Sequence, residues 1–143
     1  MPRPTIDTVA DSLHVALTVL VRRLRQTRDD SLSIPEISAL VRLEGTGPST
    51  LTALAKLERI SAQSLGATLG ALEERGLVGR SPDPQDGRQS LLSITAAGRS
   101  MLRSRRSNRA AQISRVLEAH FTAPERAALH AAAPLLERLA LAL

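Results

Sequence analysis

The sequence predicts a mainly α chain with one small β-hairpin set behind its fourth helix. Three observations predict it. Apolar residues recur at helical spacing through most of the 143 residues. Aromatic residues are nearly absent, with Phe121 the only one, so the core must be Leu, Ala, Ile and Val, which favours packed helices over a sandwich. Between Gly76 and Thr95 the helical spacing gives way to two short apolar runs around a Pro/Asp/Gly loop.

Helical periodicity opens near Thr5 and places Leu13, Leu17, Leu20, Val21 and Leu24 on one side. The charged run RRLRQTRDD closes this first helix around Arg28. Ser33-Ile34-Pro35-Glu36 then reads as a capping box: Ser33 caps, Pro35 suits the first turn, and Glu36 reaches back. Ile37, Leu40 and Val41 form the apolar face of that helix. The segment GTGP at 45–48 reads as a turn, and Ser49 or Thr50 caps a short third helix through TLTALAKLERI.

Ser61 caps the fourth helix, which ends at the Gly76 C-cap. Strands follow at about 77–81 and 89–94, and Thr95 caps a fifth helix reaching about His120. Thr122-Ala123-Pro124-Glu125 is a second capping box and opens the last helix. Pro134 lies inside that helix and is expected to kink or break it. The order α-α-α-α-β-β-α-α makes 33–95 a winged helix-turn-helix within a single domain spanning 1–143. The flanking helices, 5–32 and 96–143, carry more Leu and Ala than so small a module can bury. A dimer interface is the simplest use of that surface.

Net charge is +5, and Lys56 is the only lysine among 19 basic residues. A basic excess suits a polyanionic partner, because Arg and Lys contacts release counterions from DNA. The scarcity of aromatic rings argues against single-strand binding, which stacks bases on such rings. The absence of cysteine removes disulfides, thiolate catalysis, zinc–cysteine sites and thiol redox sensing. No apolar run reaches the roughly 18 residues of a membrane span, and the start MPRPTIDTVADS lacks the apolar core of a signal peptide. The expected compartment is the cytoplasm, with no membrane partner.

The fourth helix and the hairpin carry the chemistry. Leu65, Leu69 and Leu72 form its buried stripe, and the other side presents Gln63, Ser64, Ala67, Thr68 and Ala71. Gln can bond adenine through two hydrogen bonds, Ser and Thr can reach bases or phosphates, and Ala67 permits close approach in a major groove. Gly66 and Gly70 each cost a helix about 1 kcal/mol relative to Ala, which points to a packing or approach requirement. Ser49, Thr50 and Ser61 stand at helix starts, where free N–H groups suit a phosphate. Arg80 lies in the first strand of the hairpin, and Arg88 follows the Asp83–Gly87 turn. An arginine at a hairpin tip can enter a narrow minor groove, and Asp86 can hold its guanidinium by a charge-assisted bond.

The segment LEERGLVGRSPDPQDGRQSLLSITAAGR resembles the MarR family of bacterial transcriptional regulators. The family pattern is a leucine-rich recognition helix ending LxxxGLV, a DPxDxR wing, and LTxxG opening the next helix. Here the pieces are Leu72–Val78, Asp83–Arg88 and Ile94–Gly98. Gly87 departs from the pattern, standing where the family often has a second arginine. The resemblance implies a homodimer with two recognition helices in successive major grooves of a pseudo-palindromic operator, and Arg88 in the flanking minor groove. It also implies a repressor released by a small, often aromatic or anionic, ligand, for which His14, Arg22 and Arg23 are candidate contacts.

His14, His120 and His130 are far apart in sequence and show no metal-ligand spacing, so neither metal nor cofactor is expected. Arg99, Arg103, Arg105, Arg106 and Arg109 on the fifth helix either touch flanking phosphates or form a solvated face, and all beyond the first turn read as the solvated face. No P-loop, nucleophile elbow or paired carboxylates point to an enzyme. The alternative is a winged-helix module for protein assembly, binding DNA weakly and without sequence preference.

Overall fold

The computed structural model describes residues 2–27 and 32–143. Backbone contacts separate two units, Met1–Leu32 and Ser33–Leu143. The first holds a single helix, α1 (Ile6–Gln26), capped by Thr5, whose hydroxyl accepts the Thr8 N–H. No residue of α1 is fully buried, although Leu13, Leu17 and Leu24 are half-buried. The helix ends at Gln26, ahead of the expected end at Arg28, which lies outside the described residues.

The second unit opens with α2 (Ile34–Thr46) on a complete capping box. The Glu36 N–H donates to Ser33 Oγ, and the Ser33 N–H donates to Glu36 Oε2 at 2.7 Å. The expected GTGP turn is shorter than the sequence implies. Gly45 and Thr46 remain helical, and the chain turns only at Gly47, where φ is 75°. The last turn persists because the Gly47 N–H reaches the Leu43 carbonyl and the Thr46 hydroxyl reaches that of Arg42.

Ser49 and Thr50 form a two-residue strand, β1, which the sequence did not reveal. It is too short to show a period of two and exists only through its antiparallel pairing with a later strand. Thr50, rather than Ser49, caps α3 (Leu51–Glu58) by accepting the Ala53 N–H. Ser61 caps α4 (Ala62–Glu74), and Leu65, Leu69 and Leu72 are buried as their spacing requires. Arg75 and Gly76 end α4 in a Schellman motif. The Leu77 N–H bonds the Leu72 carbonyl, the Gly76 N–H bonds that of Glu73, and Gly76 takes a φ of 73°.

The wing strands are β2 (Val78–Pro82) and β3 (Ser90–Ile94), within a residue of their expected bounds. The sheet is antiparallel in the order β1-β3-β2, with Val78 opposite Ile94, Arg80 opposite Leu92, and Ser49 opposite Leu92 on the other side. α5 (Ala96–His120) starts at its Thr95 cap and α6 (Ala123–Ala142) at the Thr122–Glu125 capping box. Of the two outcomes expected at Pro134, a break does not occur: α6 runs continuously through it. Proline removes one N–H, the donor that would reach the His130 carbonyl. The neighbours Ala131, Ala132, Ala133 and Leu135 are strong helix formers that keep the remaining turns.

The core is aliphatic. Leu40, Leu43, Leu54, Leu65, Leu69, Leu72, Val78, Leu92, Ile94 and Leu102 are buried, and no polar side chain among the described residues is. α2 packs on α4, α5 and β3, so it is the central element under the sheet and the paired helices. α6 contributes no buried residue, and its Leu129, Leu135, Leu139 and Leu141 are exposed. Among the described residues no helix is long and apolar enough to cross a membrane.

Candidate nucleic-acid interface

The N-terminal half of α4 presents its polar side outward because the three leucines lock the opposite stripe into the core. Gln63 and Ala67 are exposed on that side. The Gln63 amide has no hydrogen-bond partner among the described residues, so both its donor and acceptor face outward. Ser61 and Ser64 form a local relay. The Ser64 N–H donates to Ser61 Oγ at 3.1 Å, and the Ser61 hydroxyl donates to Ser64 Oγ at 2.9 Å. The Ser64 hydroxyl hydrogen then remains for an outside acceptor such as a phosphate oxygen. Thr68 is half-buried, and its hydroxyl donates to the Ser64 carbonyl, which occupies its hydrogen.

At the start of α3 the Thr50 oxygen accepts the Ala53 N–H, which leaves its own hydrogen to donate. Ser49 Oγ donates to the Gly47 carbonyl, 3.0 Å away, and serves the turn.

The wing tip is built by its acids. Asp83 Oδ1 accepts the Gln85 N–H at 2.9 Å, and Asp86 Oδ1 accepts the Arg88 N–H at 3.0 Å. Main-chain bonds from Asp83 to Gln89 and from Gln89 to Asp86 close the loop. Asp86 therefore holds the backbone of Arg88, not its guanidinium as the sequence reading expected. Its other oxygen faces the Gln89 amide. An aspartate two residues before an N–H readily bonds it as an Asx-turn, and that local geometry wins over a long flexible arginine. The Arg88 guanidinium is exposed and has no acidic partner among the described residues.

Arg80 differs. Its Nε donates to Glu73 Oε2 at 2.8 Å, joining β2 to the last turn of α4. Glu73 was not singled out from the sequence, because its meeting with Arg80 depends on strand register. Other ion pairs brace α2 to its neighbours. Glu58 of α3 takes Arg42 Nε and the Ser38 hydroxyl, Glu44 takes Arg106 of α5 at 2.6 Å, and Glu36 lies 3.8 Å from Arg75. Arg106 is thus partly engaged, where the sequence suggested a solvated face.

Of the candidate ligand residues, Arg22 borders a depression of about 490 Å³ with Leu17, Thr18, Val21 and Arg25, all on α1. His14 and Arg23 are not on its rim; Arg23 reaches Gln26 at 3.4 Å. No three His, Cys, Asp or Glu side chains among the described residues converge as a metal site.

The MarR family model matches residues 32–90, from two residues before α2 to the first residue of β3. An HTH-type transcriptional regulator of Mycobacterium leprae is 35% identical over 99 residues, 68% of this chain and 69% of that protein. The chain belongs to the MarR family. A solved structure of a putative transcriptional regulator from Pseudomonas aeruginosa is 33% identical and superposes with a TM-score of 0.81, covering 93% of this chain and 94% of that one. BpsR of Bordetella bronchiseptica, whose structure concerns regulation of its DNA binding by 6-hydroxynicotinic acid, shares the fold at 24% identity and a TM-score of 0.58, over 98% of each chain. This MarR-family chain is therefore a DNA-binding transcriptional regulator with a winged helix-turn-helix.

Proposed function

We propose that this protein is a dimeric repressor that binds a pseudo-palindromic operator sequence-specifically and releases it when a small ligand binds. The carrying observation is the joint exposure of the Gln63 amide on α4 and the Arg88 guanidinium on the wing tip, neither with a side-chain partner among the described residues. In this reading Gln63, Ser64 and Ala67 face base edges in the major groove, and Arg88 enters the adjacent minor groove. Thr50 and Ser61 lie at helix starts beside the phosphates, with Ser49 next to them. Asp86 shapes the tip, and Thr68 steadies the helix behind the reading face.

The dimer reading is supported by unburied apolar surface. α1 and α6 bury no residue within one chain, and Ile113, Val116, Leu129, Leu135 and Leu139 lie open on α5 and α6. A second copy would cover such surface and place two α4 helices about one DNA turn apart. Ligand release is supported by the shared fold with BpsR and by Arg22 beside a depression on α1, where an anion would be favoured. Acting on chromosomal DNA, such a repressor would work in the cytoplasm.

The test is fluorescence anisotropy with duplex DNA from the chain's own upstream region against scrambled competitor, at about 150 mM salt. A specificity of roughly 10³ over the competitor is expected. Binding without sequence preference, falling steeply with salt, would instead assign the winged unit to a protein partner.

A further inference from the structure

We propose that Arg80 is a positioning residue: paired with Glu73, it sets the wing's angle to α4 and contributes no phosphate contact of its own. The inference rests on the DNA-binding reading of α4 and the wing, and it changes the role of one residue in it.

The pleat decides where Arg80 goes. Side chains alternate faces along a strand, so Arg80 shares the face of buried Val78, two residues earlier. Its cross-strand partner is Leu92, also buried, and directly opposed residues share a face. That face is turned toward the helices, with β2 packed against α4. Arg80 therefore leaves the sheet on its inner side and meets the Glu73 carboxylate at 2.8 Å. Arg88 leaves from the loop beyond the strands, outside that constraint.

The pair closes a short circuit in the chain. Between α4 and β2 lie only Arg75, Gly76 and Leu77, pivoting at Gly76 with its positive φ. Helix and wing must reach two different grooves at once, so an error in their angle costs contacts at one of them. The ion pair is a second tie across that pivot. It also neutralises Glu73 at the end of the reading helix, where a free carboxylate would repel phosphates. A guanidinium already matched to a carboxylate displaces no DNA counterion, so Arg80 should be silent in the salt dependence.

Arg80 and Glu73 side chains are 49% and 38% exposed, so the tie is weak and its effect modest. Arg80→Gln and Glu73→Gln should each weaken binding of the preferred duplex about two- to five-fold, the range of exposed ion pairs. The double variant should be no worse than either single one. Arg80→Lys should recover most of the loss, and the double variant, which removes both charges, should keep the wild-type slope of log affinity against log salt. In free protein, both glutamine variants should speed amide exchange in the wing loop 83–89 while leaving the urea midpoint nearly unchanged. A tighter Glu73→Gln protein, or a slope reduced by about one in the double variant, would make Arg80 a phosphate ligand and overturn the proposal. Unaltered wing exchange in both variants would overturn it independently of DNA. A wild-type protein with no preferred duplex would count against the DNA reading instead, while the exchange experiment still judged the tie.

Discussion

The hydroxyl of Thr95 donates to the carbonyl of Gly76, 2.7 Å away, and stitches the start of α5 to the turn that ends α4. The same oxygen accepts the Gly98 N–H at 3.1 Å, and the Thr95 N–H donates to the Leu77 carbonyl. Three elements thus meet at one residue: the end of α4, the root of the wing and the long helix behind it. Gly98 makes the approach possible. A Cβ there would lie 2.3 Å from the Leu77 carbonyl oxygen and 2.7 Å from Ile94 Cγ1.

Gly98→Ala should therefore destabilise the protein by about 1–3 kcal/mol, since a backbone oxygen cannot rotate aside. Thr95→Val keeps the shape but removes the cap and the stitch, and should cost about 1–2 kcal/mol. Urea unfolding measures both. A Gly98→Ala protein as stable as wild type would show that α5 can shift without penalty.

Glycines in α4 should behave in the opposite way. A Cβ at Gly70 meets nothing within 4 Å, and one at Gly66 makes only an ordinary 3.6 Å contact with Leu51. Neither glycine is required by packing within the chain. Gly70→Ala should stabilise by up to about 1 kcal/mol through helix propensity, seen as a rise of several degrees in Tm. Because the residue lies on α4, the helix proposed to read DNA, the same variant measured on DNA tells whether close approach needs the missing methyl.

Arg88→Ala should leave the unfolding midpoint where it is, because the side chain is exposed and unpaired among the described residues. It should weaken binding of the preferred duplex roughly ten-fold and lower the salt slope by about one. Unchanged affinity and slope would remove the wing tip from the interface.

The capping carboxylate of α6 provides a pH prediction. Hydrogen bonds from the Thr122 backbone and side chain hold the Glu125 carboxyl below its ordinary value of 4.5. A pKa depressed by folding means the unfolded chain binds the proton more readily. The stabilisation is complete above the ordinary value and is lost as pH falls through the lowered one. Amides in the first turn of α6 should exchange faster on acidification below 4.5, and Glu125→Gln should flatten that dependence. An NMR titration of Glu125 at or above its ordinary value would contradict the cap's role.

The element order, both capping boxes, the Thr95 cap and the buried leucines of α4 were legible in the sequence because each rests on neighbours within one or two turns. Ser33 with Glu36, and Leu65 with Leu69 and Leu72, are local relationships governed by helical period. Strand β1 was not legible, since two residues carry no period and Ser49 becomes a strand only opposite Leu92. The break that Pro134 suggested does not occur, because a single lost hydrogen bond is outweighed by the alanines and leucine around it. Asp86 misled because the sequence places it beside Arg88 without showing which of its groups, backbone or side chain, comes within reach.

Sequence by itself determined the family motifs, the helical core and the outward polar side of α4, all consequences of short-range spacing. Tertiary structure decided the fates of the two wing arginines. Register placed Arg80 opposite Leu92 and turned it inward to Glu73, whereas the loop fold engaged Asp83 and Asp86 and left Arg88 open. Two identical side chains eight positions apart received different roles, because strand pairing and loop closure are set by contacts between segments, not by the residues on either side.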